Sequence, residues 1–232
     1  MKTSNAIFLS FLIFLFGGII LLCLGSKYYK GYNDGGNIVK QEKALPTFSV
    51  IVAESGASFS LKSGKINKII LARKKDAVSQ FAPFVVRNDT LFISSAKHIQ
   101  VKENQYWIDS EVFCINVKSI VAKEKSYINI PEFQTDTLNI SMKNSKLDWF
   151  GLEKVAFVSV EAKDSNIYLD GEKIEKIVVK LDKTQLSIPV KKRIDNLSGS
   201  LKNGSKCDFS ISNNLNLTAD QTSKYGLFGL FQ

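Results

Sequence analysis

The sequence has little of what most active sites are built from. Its 232 residues include one histidine, His98, and three cysteines, Cys23, Cys114 and Cys207, with no C-x-x-C pair among them. A Ser-His-Asp or Cys-His arrangement would have to use His98, which sits in Ser94-Ser95-Ala96-Lys97-His98 with no nucleophile-elbow sequence anywhere in the chain. No cluster of His and Cys has the spacing of a zinc site. Phosphate loops are missing too, because Gly17-Gly18 lies in an apolar run and Gly35-Gly36 in a polar linker, neither between a strand and a helix. These absences exclude the common catalytic classes and call for no catalytic residue, metal or cofactor. Only four prolines occur, and no long amphipathic stretch of 3.6-residue period follows the N-terminal region, which excludes a helical bundle.

What is present begins with an apolar run. Residues Ala6 to Gly25 read AIFLSFLIFLFGGIILLCLG, with only Ser10 polar. A helix of that length rises about 30 Å, enough to cross a bilayer. A cleaved signal peptide is the rival reading, since Lys2 gives a basic head. The run exceeds the usual ~7–15 apolar residues of such peptides, and Cys23-Leu24-Gly25 is a poor cleavage site. Residues 1–25 are therefore expected to form a retained single-pass anchor, with residues 6–25 in the membrane. The short head favours an extracytoplasmic domain in the periplasm or cell envelope, although Lys2 on one side and Lys27 and Lys30 on the other nearly balance. Tyr28, Tyr29 and Tyr32 suit the interfacial belt. Residues 26–45, with four glycine, asparagine and aspartate neighbours around Gly35 and no apolar periodicity, read as a tether ended by Pro46.

Residues 46–232 alternate apolar and polar positions, as in Phe48, Val50 and Val52, Phe59 and Leu61, Ile69 and Leu71, and Leu91 and Ile93. That is a β pattern. The second half repeats: LNISMKNSKLDWF from Leu138, VSVEAKDSNIYLD from Val158, IVVKLDKTQLSIP from Ile177, LSGSLKNGSKCDF from Leu197 and LNLTADQTSKYGLF from Leu215, with a fainter copy from Ile120. Each unit is strand, small polar corner, strand. The corners Ser126, Ser145, Ser165, Thr184, Gly204 and Thr222 are spaced by 19, 20, 19, 20 and 18 residues. Near-constant spacing of that size indicates a solenoid, in which coils stacked at about 4.8 Å align equivalent side chains into interior ladders. The predicted ladders are Ile140, Val160, Val179 and Leu217, interrupted by Gly199, and Ile128, Leu147, Ile167, Leu186 and Tyr225. An antiparallel sandwich of hairpins is the alternative; its favoured Asn-Gly or Asp-Gly turns occur at Asn203-Gly204 and Asp170-Gly171 but do not recur at the corners. Coil stacking would also hold Cys114 and Cys207 too far apart for a disulfide.

The opening strand Phe48–Val52, the turn Ser55-Gly56-Ala57, the strand Phe59–Leu61 and the segment Asn88-Asp89-Thr90-Leu91-Phe92-Ile93 carry a resemblance. From Pro46 to the C-terminus, the chain resembles the head GIN domain family, labelled putative autotransporter adhesins in Bacteroidetes. The resemblance implies an exported, right-handed parallel β-helix without known catalytic residues. The N-terminal run and the density of lysine depart from free surface release.

Thirty-one Lys and Arg against 22 Asp and Glu give a net charge of +9. Nucleic acid is not the expected target, because no aromatic-basic recognition motif appears. The repeat stacks Lys143, Lys163, Asp182, Lys202 and Asp220 in one column beside the corners, with Lys146, Lys206 and Lys224 nearby. Lys143, Lys146, Lys163, Lys202 and Lys206 are the candidate binding residues, for an acidic polysaccharide or other anionic envelope surface; a merely solvated, aggregation-resistant exterior is the plainer reading. Carboxylates that could cleave a glycan are not gathered on one wall, since Asp148, Asp164 and the column of Asp182 and Asp220 occupy different places in the repeat. Two functions follow: a non-catalytic adhesive or binding module, or an envelope-stress regulatory module whose membrane helix contacts another membrane protein. The retained anchor predicts that mass spectrometry of the membrane-extracted protein recovers the N-terminal peptide; a mature chain starting near Ser26 would refute it.

Overall fold

A computed structural model of the chain describes residues 38–74, 83–95, 107–191, 194–210 and 212–227, together with Leu12, Phe14, Phe16, Gly17 and Gly18. His98 and almost all of residues 6–25 lie outside the described residues. Among the described residues no helix is long and apolar enough to cross a membrane, so the structure lends the anchor no support. The chain divides into Met1–Ile38 and Val39–Gln232. The second unit is all-β.

Its strands are β1 (Ile38–Ala44), β2 (Val50–Ala53), β3 (Ser58–Ser63), β4 (Lys68–Lys74), β5 (Phe84–Arg87), β6 (Thr90–Ile93), β7 (Trp107–Cys114), β8 (Ser119–Lys123) and β9 (Tyr127–Glu132). The repeats then supply β10 (Thr137–Lys143), β11 (Lys146–Lys163), β12 (Asn166–Asp182), β13 (Gln185–Ile188), β14 (Ile194–Lys202), β15 (Lys206–Phe209), β16 (Ser212–Ala219) and β17 (Lys224–Leu227). The strands before the corners form one parallel face, β2–β8–β10–β11–β12–β14–β16. Those after the corners form a second, β7–β3–β9–β11–β12–β13–β15–β17. β11 and β12 belong to both faces because each runs on from one side of the coil to the next. This is a parallel β-solenoid, and its parallel register excludes the hairpin sandwich.

The interior ladders follow from the alternation. Ile120, Ile140, Val160, Val179, Gly199 and Leu217 stand in register, as do Ile128, Leu147, Ile167, Leu186, Cys207 and Tyr225. Cys207 fills the rung between Leu186 and Tyr225. A third ladder, Ala53, Ala122, Met142, Ala162, Leu181 and Leu201, packs nearest the corners. All but the half-buried Gly199 and the last coil's Leu217 and Tyr225 are buried. Cys114 and Cys207 are buried free thiols, and desolvation pushes each up to about 12, where neither is a reactive thiolate at neutral pH.

Three sequence expectations need correction. In β2 the residues in register with Ile120 and Ala122 are Ile51 and Ala53, not Val50 and Val52. Phe48 reaches the core from the loop before the strand and so does not share its phase; a one-residue slip exchanges the faces. The corner positions in the last two coils are Ser205 and Ser223, one residue beyond Gly204 and Thr222. An extra turn residue causes the shift: Asn203 and Gly204 (φ 55 and 78) precede Ser205, and Gln221 and Thr222 precede Ser223, where the three corners before them have Asn144, Asp164 or Lys183 alone. Finally, β1 occupies part of the stretch read as a tether. It pairs with β4, its described side chains are solvent-facing, and Glu42 meets Lys68 at 3.1 Å. Backbone pairing holds it, so no apolar alternation marks it.

At the N-terminal end, β6 lies parallel on β2 and β5 antiparallel on β6, while β4 runs antiparallel to β7. These antiparallel strands cover the first coil. Gly199 is required within its ladder: its φ is +141, and a Cβ there would stand 1.8 Å from the carbonyl oxygen of Val179. Gly199→Ala is expected to lower the urea midpoint sharply. Val160→Asp, which puts a carboxylate at a position 1% exposed, is expected to abolish cooperative melting, since an unpaired buried charge costs several kcal/mol, comparable with a domain's whole stability. Cooperative melting of Val160→Asp at the parent temperature would contradict the ladder.

Candidate functional site

Each corner solves the same problem. The chain must leave one face and enter the next while its turn amides sit too deep for water. A left-handed residue makes the turn: Asn144 (φ 48), Asp164 (φ 50) and Lys183 (φ 50) in successive coils, two of them residue types that tolerate this region. The next residue is a buried hydroxyl, in the series Ser126, Ser145, Ser165, Thr184, Ser205 and Ser223. From Ser145 to Ser205, each hydroxyl donates to a carbonyl of its own corner: Ser145 Oγ to Lys143 at 2.8 Å, Ser165 Oγ to Lys163 at 2.7 Å, Thr184 Oγ1 to Asp182 at 2.9 Å and Ser205 Oγ to Lys202 at 2.6 Å. The hydroxyls of Ser165, Thr184, Ser205 and Ser223 each accept from the coil before. The Ser145 amide donates to Ser165 Oγ at 3.3 Å, Ser165 to Thr184 Oγ1 at 3.2 Å, Thr184 to Ser205 Oγ at 3.2 Å and Ser205 to Ser223 Oγ at 3.1 Å. Ser126 Oγ donates to the Glu54 and Lys123 carbonyls.

This hydroxyl ladder brings the corner side chains into rows. Before the corners, Lys123, Lys143, Lys163, Asp182 and Lys202 stand in register. Asp220 follows, its amide bonded to the Leu201 carbonyl at 3.1 Å. Beyond the corners the row is Tyr127, Lys146, Asn166, Gln185, Lys206 and Lys224. All five candidate lysines thus flank one ridge. Lys146 and Lys206, with Lys125 and Lys183, line a shallow groove of about 730 Å³; Lys143, Lys163 and Lys202, with Lys180, line another of about 370 Å³ on the other side. Lys123, Lys125, Lys180 and Lys183 belong to the ridge although the sequence reading did not single them out. Lys123 shares the register of Lys143 and Lys163, and Lys125 and Lys183 each stand immediately before a corner hydroxyl.

Carboxylates cancel part of this charge. Lys163 meets Asp182 at 3.5 Å, Lys183 meets Asp164 at 3.2 Å and Lys146 meets Asp148 at 2.8 Å. Asp182 also accepts from the Asn203 side chain, through Nδ2, at 2.6 Å; that bond first, then Lys163 and Lys202, holds it below the usual carboxylate range. Lys143, Lys202 and Lys206 have no carboxylate within ion-pair distance among the described residues. Asp220 serves the fold, accepting at 2.7 Å from the Asn203 amide, at 2.9 Å from that of Ser223, and at 3.0 and 2.8 Å from the amide and hydroxyl of Thr222. Those bonds, Asn203 foremost, hold its carboxyl far below the usual range. Among the described residues, no three His, Cys, Asp or Glu side chains gather to hold a metal ion.

Comparison with solved structures identifies the architecture. A putative adhesin of Bacteroides fragilis NCTC 9343 superposes with a TM-score of 0.61 at 12% identity, over 82% of this chain and 97% of that one. The fold is shared with that protein. A putative adhesin of Parabacteroides merdae gives a TM-score of 0.44 at 12% identity, covering 83% and 95% of the two chains. A putative lipid binding protein of Parabacteroides distasonis gives 0.40 at 10% identity, covering 83% and 97%. No protein-family model matches the sequence, and no curated protein matches it.

Two outcomes follow from the corner chemistry. Ser165→Ala strands the Ser145 amide and should lower stability by about 1–3 kcal/mol in urea titration, the penalty of one unsatisfied buried donor, whereas Ser165→Thr should stay near the parent. Asp220, whose folded pKa is depressed, stabilises fully above its unfolded value near 3.9 and loses that contribution as pH falls toward its folded pKa. Asp220→Ala should therefore lower the urea midpoint at pH 7 and flatten its decline between about pH 4 and 2. An unchanged acid limb would contradict the role given to Asp220.

Proposed function

We propose that this chain is a head GIN-type, membrane-anchored extracytoplasmic solenoid that binds an extended acidic polymer along its corner ridge and catalyses no reaction. The carrying observation is the register of the ridge: before the hydroxyl ladder Lys123, Lys143 and Lys163 stand on successive coils, beyond it Lys206 and Lys224 do, and Lys143, Lys202 and Lys206 lack ion-pair partners among the described residues. Charges repeated at about 4.8 Å suit a chain of repeated anionic groups better than a compact ligand, because each added contact is intramolecular once the first has formed. Stability does not account for the row. Like charges directly opposite one another on neighbouring strands are unfavourable, and Lys123, Lys143 and Lys163 are such a series. The shared fold with a putative adhesin supports a binding role. The absence of catalytic motifs from the sequence supports it as well.

The test is titration with polygalacturonate at rising ionic strength. Binding should weaken steeply with salt, since exposed charges are screened beyond about 8 Å at physiological ionic strength. Replacing Lys143, Lys163 and Lys202 together by Gln should weaken low-salt binding about tenfold, at a few tenths of a kcal/mol per exposed contact, with the melting temperature unchanged. Equal binding by the triple variant, or no binding by the parent at low salt, would overturn the proposal.

A further inference from the structure

The groove beyond the corners opens onto an aromatic shelf. Along β11 the outward residues after the corner are Lys146, Asp148 and Phe150, and on the next coil Tyr168 lies in register with Asp148. The rings of Phe150 and Tyr168 stand 5.4 Å apart between centroids, tilted by 47°. On the preceding coil Tyr127 lies beside Lys146, donates from its hydroxyl to Asp148 Oδ2 at 3.0 Å and receives the Lys146 ammonium 5.1 Å from its ring centre. Phe150 is 40% exposed and Tyr127 36%. Asp148, beneath them, is only 8% exposed although it lies on the outer surface of the sheet. A rigid diagonal of ring, carboxylate and two rings is thereby fixed on three coils.

This cluster is not a general property of the face. The same column elsewhere carries Asn129, Ser187 and Asp208, small or charged residues that leave the sheet polar. Among the described residues of this column, the rings gather beside Tyr127 and Lys146, which line the larger groove. Their chemistry also separates the anions that the ridge could hold. Lysines alone would take any polyanion. Flat ring faces add binding only for a ligand that carries C–H faces between its charges, which a sugar ring has and a phosphate chain lacks.

We infer that Tyr127, Phe150 and Tyr168 form a ring-stacking subsite for the sugar units of an acidic polysaccharide whose carboxylates lie on the corner lysines. The inference rests on the polyanion reading of the ridge and names its ligand class. Tyr127 and Asp148 position one another and Lys146, so the rings to remove are Phe150 and Tyr168.

The test compares polygalacturonate with long-chain polyphosphate, each titrated into the full-length protein. The parent should bind both and prefer polygalacturonate at equal charge. Phe150→Ala with Tyr168→Ala should weaken polygalacturonate about tenfold, the worth of two aromatic contacts, and leave polyphosphate within about twofold. The pair Phe150→Leu and Tyr168→Leu keeps apolar bulk but removes the flat faces; it should show the same split, and it serves where the alanine variant does not fold. Lys143, Lys163 and Lys202 changed to Gln should weaken both polymers. If the ring variants bind polygalacturonate as the parent does, or lose both polymers equally while folded, the shelf is refuted and the ridge reading stands. A parent that prefers polyphosphate also refutes the shelf. A parent that binds neither polymer overturns the ridge reading and the shelf together.

Discussion

The corner hydroxyls are the constraint on which the rest of this solenoid depends. A strand can satisfy its backbone groups against the strands above and below, but a corner interrupts both ladders and leaves amides that water cannot reach. In four successive coils a Ser or Thr oxygen accepts one of those amides from the coil before, and Ser165, Thr184 and Ser205 also pass their own protons to a carbonyl of their own turn. Neither bond is strong alone. Their value lies in what is avoided, since an unpaired buried donor costs more than a formed bond contributes. Because donor and acceptor sit on different coils, the arrangement also sets how one coil lies on the next.

Register at the corner propagates in both directions along the strands. Inward it places Val160 under Val179 and Leu147 under Ile167, so the branched side chains that alternation supplies become continuous ladders. Where a ladder cannot take a side chain, glycine relieves it, as Gly199 does over the Val179 carbonyl. Outward it stacks lysine on lysine. That row is unfavourable by itself and is moderated by interposed acids, Asp182 beside Lys163 and Asp164 beside Lys183. One geometric rule thus produces the apolar core and the charged ridge together.

The repeated coils were legible because each carries the same two signals, apolar alternation and a small hydroxyl at the turn, at a spacing of 18 to 20 residues. The ladders through Ile140 and Leu147 could therefore be read directly. The last two corners were displaced by one residue because each turn is one residue longer, Asn203-Gly204 before Ser205 and Gln221-Thr222 before Ser223, and the alignment was set on the small residue rather than on the buried hydroxyl. The first strand was hidden for a different reason. β1 reads IVKQEKA and is held by backbone pairing and the Glu42–Lys68 ion pair, with no alternating face to betray it. Within the candidate site, the five lysines were legible as columns. The aromatic shelf was not, since Tyr127, Phe150 and Tyr168 come from three different positions of the repeat and meet only through the diagonal offset of neighbouring coils.

Residue-resolved amide hydrogen exchange at the corners tests this account most directly. The amides of Ser145, Ser165, Thr184 and Ser205 each point at a hydroxyl on the next coil. They should exchange as slowly as the strand amides of β11 and β12, opening only with global unfolding. Exchange of these four at the rate of exposed turn amides, with β11 and β12 still protected, would show that the hydroxyl ladder does not form and that the coils take their register from something else.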